Sequence, residues 1–204
     1  LPLDHRRPSH QNFQGARHSF LLDPAVLDRL KELAQRQRAT LFMVLHAALG
    51  ILLARHSNSA DIVIATPVAN RLQKELEGLI GLFVNTLVLR VDCGGNPRFS
   101  DLLERVRAVN LDAQSHQDLP FELLVRHLQP VRSTQYSPLF QIMFNMDSGD
   151  GANGTAMELN GIRFSPLNGD VVSAKYDLLF NASETEQGLA LAIDYDVELF
   201  DATT

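Results

Sequence analysis

The sequence predicts an α/β fold in which a mixed, open β-sheet is covered by helices. Three observations carry that prediction. Stretches 24–56 and 96–128 repeat apolar residues at helical spacing. Asp61–Thr66 is instead a short, continuous apolar run, as expected of a strand buried on both faces. The last third of the chain alternates short β-rich runs with turn residues. With 204 residues, 45% hydrophobic and 21% charged, the chain has enough apolar surface to offset the entropy of ordering, which excludes a disordered segment. The length suits one domain or two small ones, and no internal repeat is visible.

Taken in order, residues 1–16 are rich in Pro, Arg, Gln and Asn without periodicity and read as a linker or arm, leaving 17–204 as the folded unit. Arg17–Leu22 reads as a short strand. Asp23-Pro24 then starts a helix, with Asp as cap and Pro in the first turn, and Val26, Leu27, Leu30, Leu33 and Ala34 share one face. Thr40 caps a second helix, Leu41–His56, which is apolar almost all round and should be buried on several sides. Strand Asp61–Thr66 is expected to end at Pro67, and a loop through Glu77-Gly78 leads to a second strand, Thr86–Val91. Asn96-Pro97 opens a helix whose Phe99, Leu102, Leu103, Val106, Val109 and Ala113 align. A further helix begins near Pro120 with Phe121, Leu124, Val125 and Leu128. Leu139–Asn145, Gly161–Phe164, Tyr176–Ala182 and Leu189–Tyr195 read as strands, Gly149–Gly154 as a loop, and Leu199–Thr204 as the start of a capped helix.

Charge narrows the partners. Lys plus Arg is 18 against 24 Asp plus Glu, a formal net charge of −6 without basic clusters, which argues against a nucleic-acid partner. The longest apolar stretch, Leu41–Ala54, falls short of the roughly 20 residues needed to cross a bilayer. A single cysteine, Cys93, cannot form an internal disulfide or anchor a zinc site by spacing, and the expected setting is the cytoplasm.

Most apparent chemical motifs dissolve on inspection. Gly149–Gly154 matches G-x-G-x-x-G, but strand and turn residues follow where a nucleotide site needs a helix. Asp147 and Glu158 stand at the first and twelfth positions of a calcium loop, yet Gly149, Gly151 and Ala152 occupy positions that need oxygen ligands and a glycine. The seven histidines show no metal-ligand spacing, and His46 inside its apolar helix reads as a satisfied core histidine. No nucleophile elbow is present. Two stretches remain. Ile80–Arg90 gathers Gly, aromatic, Asn and Thr at a strand start, either as a site or as a strand opening in which Asn85-Thr86 bonds its own backbone. His116–Glu122 is either functional or a helix N-terminus, with Asp118 as acceptor, Pro120 in the first turn and Glu122 at the positive dipole end.

Together these stretches resemble the condensation domain of non-ribosomal peptide synthetases. Ile80, Gly81, Phe83, Asn85, Thr86 and Arg90 match the family pattern I/V-G-x-F-x-N-T-x-x-x-R. His116, Gln117, Asp118, Pro120, Phe121 and Glu122 complete H/N-Q-D-x-P-F-E. Arg132, Pro138 and Leu139 fit part of R-D-x-S-R-N-P-L, while Ser133, Gln135, Tyr136 and Ser137 depart from it. Leu1–Asp4 and Thr66–Arg71 are also typical. The signature H-H-x-x-x-D-G occurs nowhere in these residues. The resemblance therefore implies the C-terminal subdomain alone: a chloramphenicol-acetyltransferase-like half, without a catalytic residue or metal of its own and inactive by itself. It further implies amide formation by attack of an acceptor aminoacyl amine on a donor acyl thioester. Both substrates would ride on phosphopantetheine arms of carrier proteins, and the partners would be the N-terminal subdomain and adjacent synthetase domains. Asn85, with Phe83 and Thr86 beside it, is the expected substrate-tunnel group because a carboxamide both donates and accepts. The remaining motif residues are expected to be architectural. The alternative is a non-catalytic module that recruits carrier proteins or a partner enzyme.

Overall fold

A computed structural model describes residues 1–131, 133–147, 157–159, 161–164 and 172–204. Helix α1, Pro24–Arg36, starts where Asp23 accepts a hydrogen bond from the Ala25 amide at 2.8 Å. Helix α2, Leu41–Ser57, starts where the Thr40 hydroxyl accepts from the Met43 amide at 3.2 Å, and it stops at Asn58 in the left-handed conformation. Both caps stand where the sequence places them. α2 buries residues all round because it lies between the sheet, α1 and helix α3, Phe99–Ser115. Gly50 lets it approach closely: a Cβ there would stand 3.3 Å from Val91 Cγ1.

Among the described residues the main sheet has seven strands. They are β1 (Gln14–Leu22), β2 (Asp61–Val68), β3 (Asn85–Asp92), β4 (Ile142–Asp147), β7 (Val172–Ser173), β8 (Leu178–Thr185) and β9 (Gly188–Asp196), in the spatial order β3-β2-β4-β8-β9-β1-β7. β4 runs parallel to β2 and β8, whereas the other neighbours are antiparallel, so the sheet is mixed. A separate hairpin joins β5 (Met157–Leu159) to β6 (Ile162–Phe164). Strand alternation divides the core between two faces. Ile62, Ile64, Val91, Ile142, Phe144 and Leu189 face α1–α3. Ala65, Met143 and Leu179 turn the other way, onto Phe140, Tyr176 and Phe121, the first residue of helix α4 (Phe121–Leu128).

Several boundaries differ from expectation, each for a reason outside local periodicity. β1 begins at Gln14 rather than Arg17, and the preceding arm is docked. The Asp4 amide donates to Leu199 O at 3.0 Å, Arg7 pairs with the Asp177 carboxylate, and Gln11 donates to the Ala174 and Lys175 carbonyls. These anchors are polar and distant in sequence, so no local pattern announces them. β2 continues through Pro67, two residues beyond the Ala65–Met143 pairing with β4, where the ladder has one neighbour and a missing N–H is tolerated. Asn110, not Val109, continues the buried stripe of α3. Leu199 and Phe200 are buried in a turn closed onto Asp196 O, and no helix is described among the final residues.

Candidate functional site

The two motifs meet at the edge of the sheet. β3 starts at Asn85, whose carboxamide makes three hydrogen bonds to the other motif. Nδ2 donates to Gln117 O and Leu119 O, both at 2.8 Å, and Oδ1 accepts from the Phe121 amide at 3.1 Å. Helix α4 has Pro120 as its N-cap residue and no side-chain cap of its own. Asn85, 36 residues upstream, supplies that acceptor in place of Asp118. The expected roles change accordingly. Rather than bonding its own strand, Asn85 brackets β3 to α4, with both amide hydrogens engaged. Asp118 is an exposed turn residue.

The rest of the second motif closes the joint between two helices. His116 Nδ1 lies 2.9 Å from Asp112 O, and Gln117 Nε2 donates to Gln114 O at 3.0 Å. Both reach carbonyls in the last turn of α3, where the backbone ladder runs out and the Ser115 hydroxyl also donates to Asp112 O. Phe121 enters the second core cluster and meets Phe140 edge-on with centroids 5.6 Å apart, while Glu122 sits exposed in the first turn of α4. Arg90 forms a fork on Asp61, with both N–O distances at 2.7 Å, and Thr86 pairs with Pro67 across the β2–β3 ladder. Arg132 and the Gly149–Gly154 loop lie outside the described residues.

Ahead of Asn85, residues 69–84 form a finger between β2 and β3. Its only regular element is a single 3₁₀ turn, Lys74–Leu76. The Arg71 guanidinium donates to Leu76 O and, at 2.9 Å, to Leu79 O, and it lies over the Phe83 ring at 4.2 Å from the centroid. The ring edge folds back onto Gly81, where a Cβ would stand 3.1 Å from Phe83 Cε2, a contact the ring would have to yield to. The tip holds Ile80 and Leu82 fully in solvent, at 105% and 92% relative exposure, flanked by exposed Leu72, Leu79 and Val84.

Titratable groups elsewhere serve the fold. His46 is wholly buried. Asn110 Nδ2, which donates to Val106 O at 2.7 Å, also donates to His46 Nδ1 at 3.1 Å, placing the imidazole proton on Nε2. Nε2 is buried and has no partner among the described residues, and burial pushes the His46 pKa from 6.5 down to about 4. Burial raises the Cys93 thiol, and it raises Asp196, with the nearby Asp177 acting in the same direction. Among the described residues no three His, Cys, Asp or Glu side chains gather as a metal site, and no single helix is long and apolar enough to cross a membrane. Sequence reasoning did not single out Arg71 or Asn110 for any role. Both act through partners that only the fold brings together, although the segment Thr66–Arg71 was itself recognisable.

The model of the condensation domain matches residues 1–204. The chain belongs to the condensation domain family. It is 43% identical over 204 residues to malpinin synthetase of Mortierella alpina, and 42% identical over 200 residues to tyrocidine synthase 3 of Brevibacillus parabrevis. The matches cover 100% and 98% of this chain respectively, but only 3% of each synthetase. Among solved structures, the X-domain from teicoplanin biosynthesis superposes with a TM-score of 0.90 at 29% identity, covering 100% of this chain and 46% of that one. The four-domain nonribosomal peptide synthetase holo-AB3403, bound to AMP and glycine, gives 0.86 at 26% identity, covering 98% of this chain and 16% of that one. The mixed open sheet, with four α-helices among the described residues, is thus the expected half of a chloramphenicol-acetyltransferase-like condensation domain.

Proposed function

We propose that this chain is the C-terminal lobe of an amide-forming condensation unit in a nonribosomal peptide synthetase. In this reading an N-terminal lobe carries the histidine that assists attack of the acceptor amine on the donor thioester carbonyl. The C–N bond forms as the donor phosphopantetheine sulfur leaves. This lobe supplies the facing wall and a share of the docking surface for the carrier proteins that bring both substrates on phosphopantetheine arms, inside a cytoplasmic megasynthase with further domains on either side.

The observation that carries the reading is the finger. Ile80 and Leu82 gain nothing from standing in water, and the lobe corresponds to under half of a solved domain of its family, so the remaining lobe is the natural cover for them. Asn85 and Phe83 then act at the base of the finger rather than on the reacting atoms. Recruitment without chemistry is the less favoured reading, because identity to the synthetases exceeds that to the X-domain, at 42–43% against 29%.

The reading is tested by combining the chain with the N-terminal lobe of its own synthetase and two loaded carrier proteins, then assaying the condensed product by mass spectrometry. Amide formation that requires both lobes is expected. A correctly assembled two-lobe complex that leaves both thioesters intact contradicts the reading.

A further inference from the structure

We infer that Arg71 is the positioning residue that orders the finger before it meets its partner lobe; this deepens the proposed function and rests on it for the identity of that partner. Three contacts converge on one guanidinium. It donates to Leu76 O and Leu79 O on the outgoing limb of the finger, and its face covers the Phe83 ring on the returning limb. Asn70, at φ 52°, turns the chain so that Arg71 points back across the loop. Among the described residues no carboxylate lies within ion-pair range of Arg71, so its charge is spent on carbonyls and a ring. The finger's own backbone bonds are local turns: Leu76 to Gln73, Glu77 to Lys74 and Leu79 to Leu76. None of them ties the outgoing limb to the returning one. Arg71 does.

The purpose of such a tie follows from the tip it holds. A loose loop carrying Ile80 and Leu82 would lose backbone freedom at each residue on docking, and that loss would be subtracted from the affinity. A loop already held in its docked shape avoids most of it. Only a planar fork can meet two carbonyls and stack on a ring at once, so lysine does not substitute for Arg71 although it keeps the charge.

The test has two arms. In the chain alone, hydrogen exchange at the Leu79 amide should speed up by roughly tenfold in both Arg71→Ala and Arg71→Lys. The melting temperature should move by less than about 2 °C, because the finger lies outside the core. Unchanged exchange in both variants overturns the assignment, as does loss of the whole fold in Arg71→Lys. In the second arm, calorimetric titration with the N-terminal lobe of the same synthetase should show Arg71→Lys binding about tenfold more weakly than the parent chain at equal melting temperature. Equal affinity overturns the positioning role. If the parent chain itself fails to bind, the two-lobe reading falls, and the exchange arm still decides whether Arg71 orders the finger.

Discussion

The helix-backed face of the sheet and the finger at its edge are held by opposite means. Between α1–α3 and the sheet, Leu102, Leu103, Val106, Ile64 and Leu89 are almost wholly withdrawn from water, and burial of apolar area is the main source of stability. The finger reverses this. Its apolar side chains stand outside, and its shape is kept by polar brackets, Arg71 on two carbonyls and a ring, and Asn85 on the start of α4. The core draws on buried apolar area, whereas the finger's apolar area leaves water only when something covers it.

That contrast predicts a graded response to mutation. Leu103→Ala in the core should cost about 3 kcal/mol through lost burial and an unfilled cavity, measured by urea unfolding. Ile80→Ala at the tip should leave the midpoint unchanged within error. Comparable losses at the two positions would erase the distinction. Acid should act on the core first. Below pH 6.5 the unfolded chain takes up a proton that buried His46 refuses until pH falls to about 4. The stability contributed by neutral His46 is therefore complete above 6.5 and lost progressively as pH falls from 6.5 to 4, amounting to about 3 kcal/mol. Protonated Nδ1 would also face the Asn110 amide donor that it now accepts from. Unfolding curves of His46→Gln should be flatter over that range than those of the parent; parallel curves would remove His46 from the account.

Asn85 tests the bracket. Asn85→Ala orphans the Phe121 amide and two carbonyls and should cost about 2 kcal/mol. Asn85→Asp keeps the acceptor for Phe121 but turns a carboxylate toward Gln117 O and Leu119 O, so it should be no better than alanine. An aspartate variant as stable as the parent would show that the donor side of the bracket is idle. The smallest effect is expected at Arg90→Ala. The exposed fork with Asp61 is open to solvent screening, and unfolding midpoints should be indistinguishable from the parent.

Local physics explains why some of this was legible in the sequence. Asp23 and Thr40 announce their helices because a cap acts within three residues, and strands β2 and β3 announce themselves through their apolar runs. The docked arm, the cap that Asn85 lends to α4, the His46–Asn110 pair and the Arg71 tie each join positions far apart in the chain or on different limbs of a loop. No periodicity encodes such pairings. The motifs Ile80–Arg90 and His116–Glu122 were recognisable as a family pattern, but their shared purpose, one joint between β3 and α4, emerges only when the fold brings Asn85 against Phe121.

If the finger is the contact surface for a second lobe, as proposed, its two most exposed side chains must carry the affinity. Calorimetric titration of the N-terminal lobe of the same synthetase into this chain, and into the double variant Ile80→Asp with Leu82→Asp, tests it directly. The parent chain should bind with a negative heat-capacity change. The variant, unchanged in melting temperature, should bind at least roughly a hundredfold more weakly if the finger is the contact. A double variant that binds as tightly as the parent contradicts it.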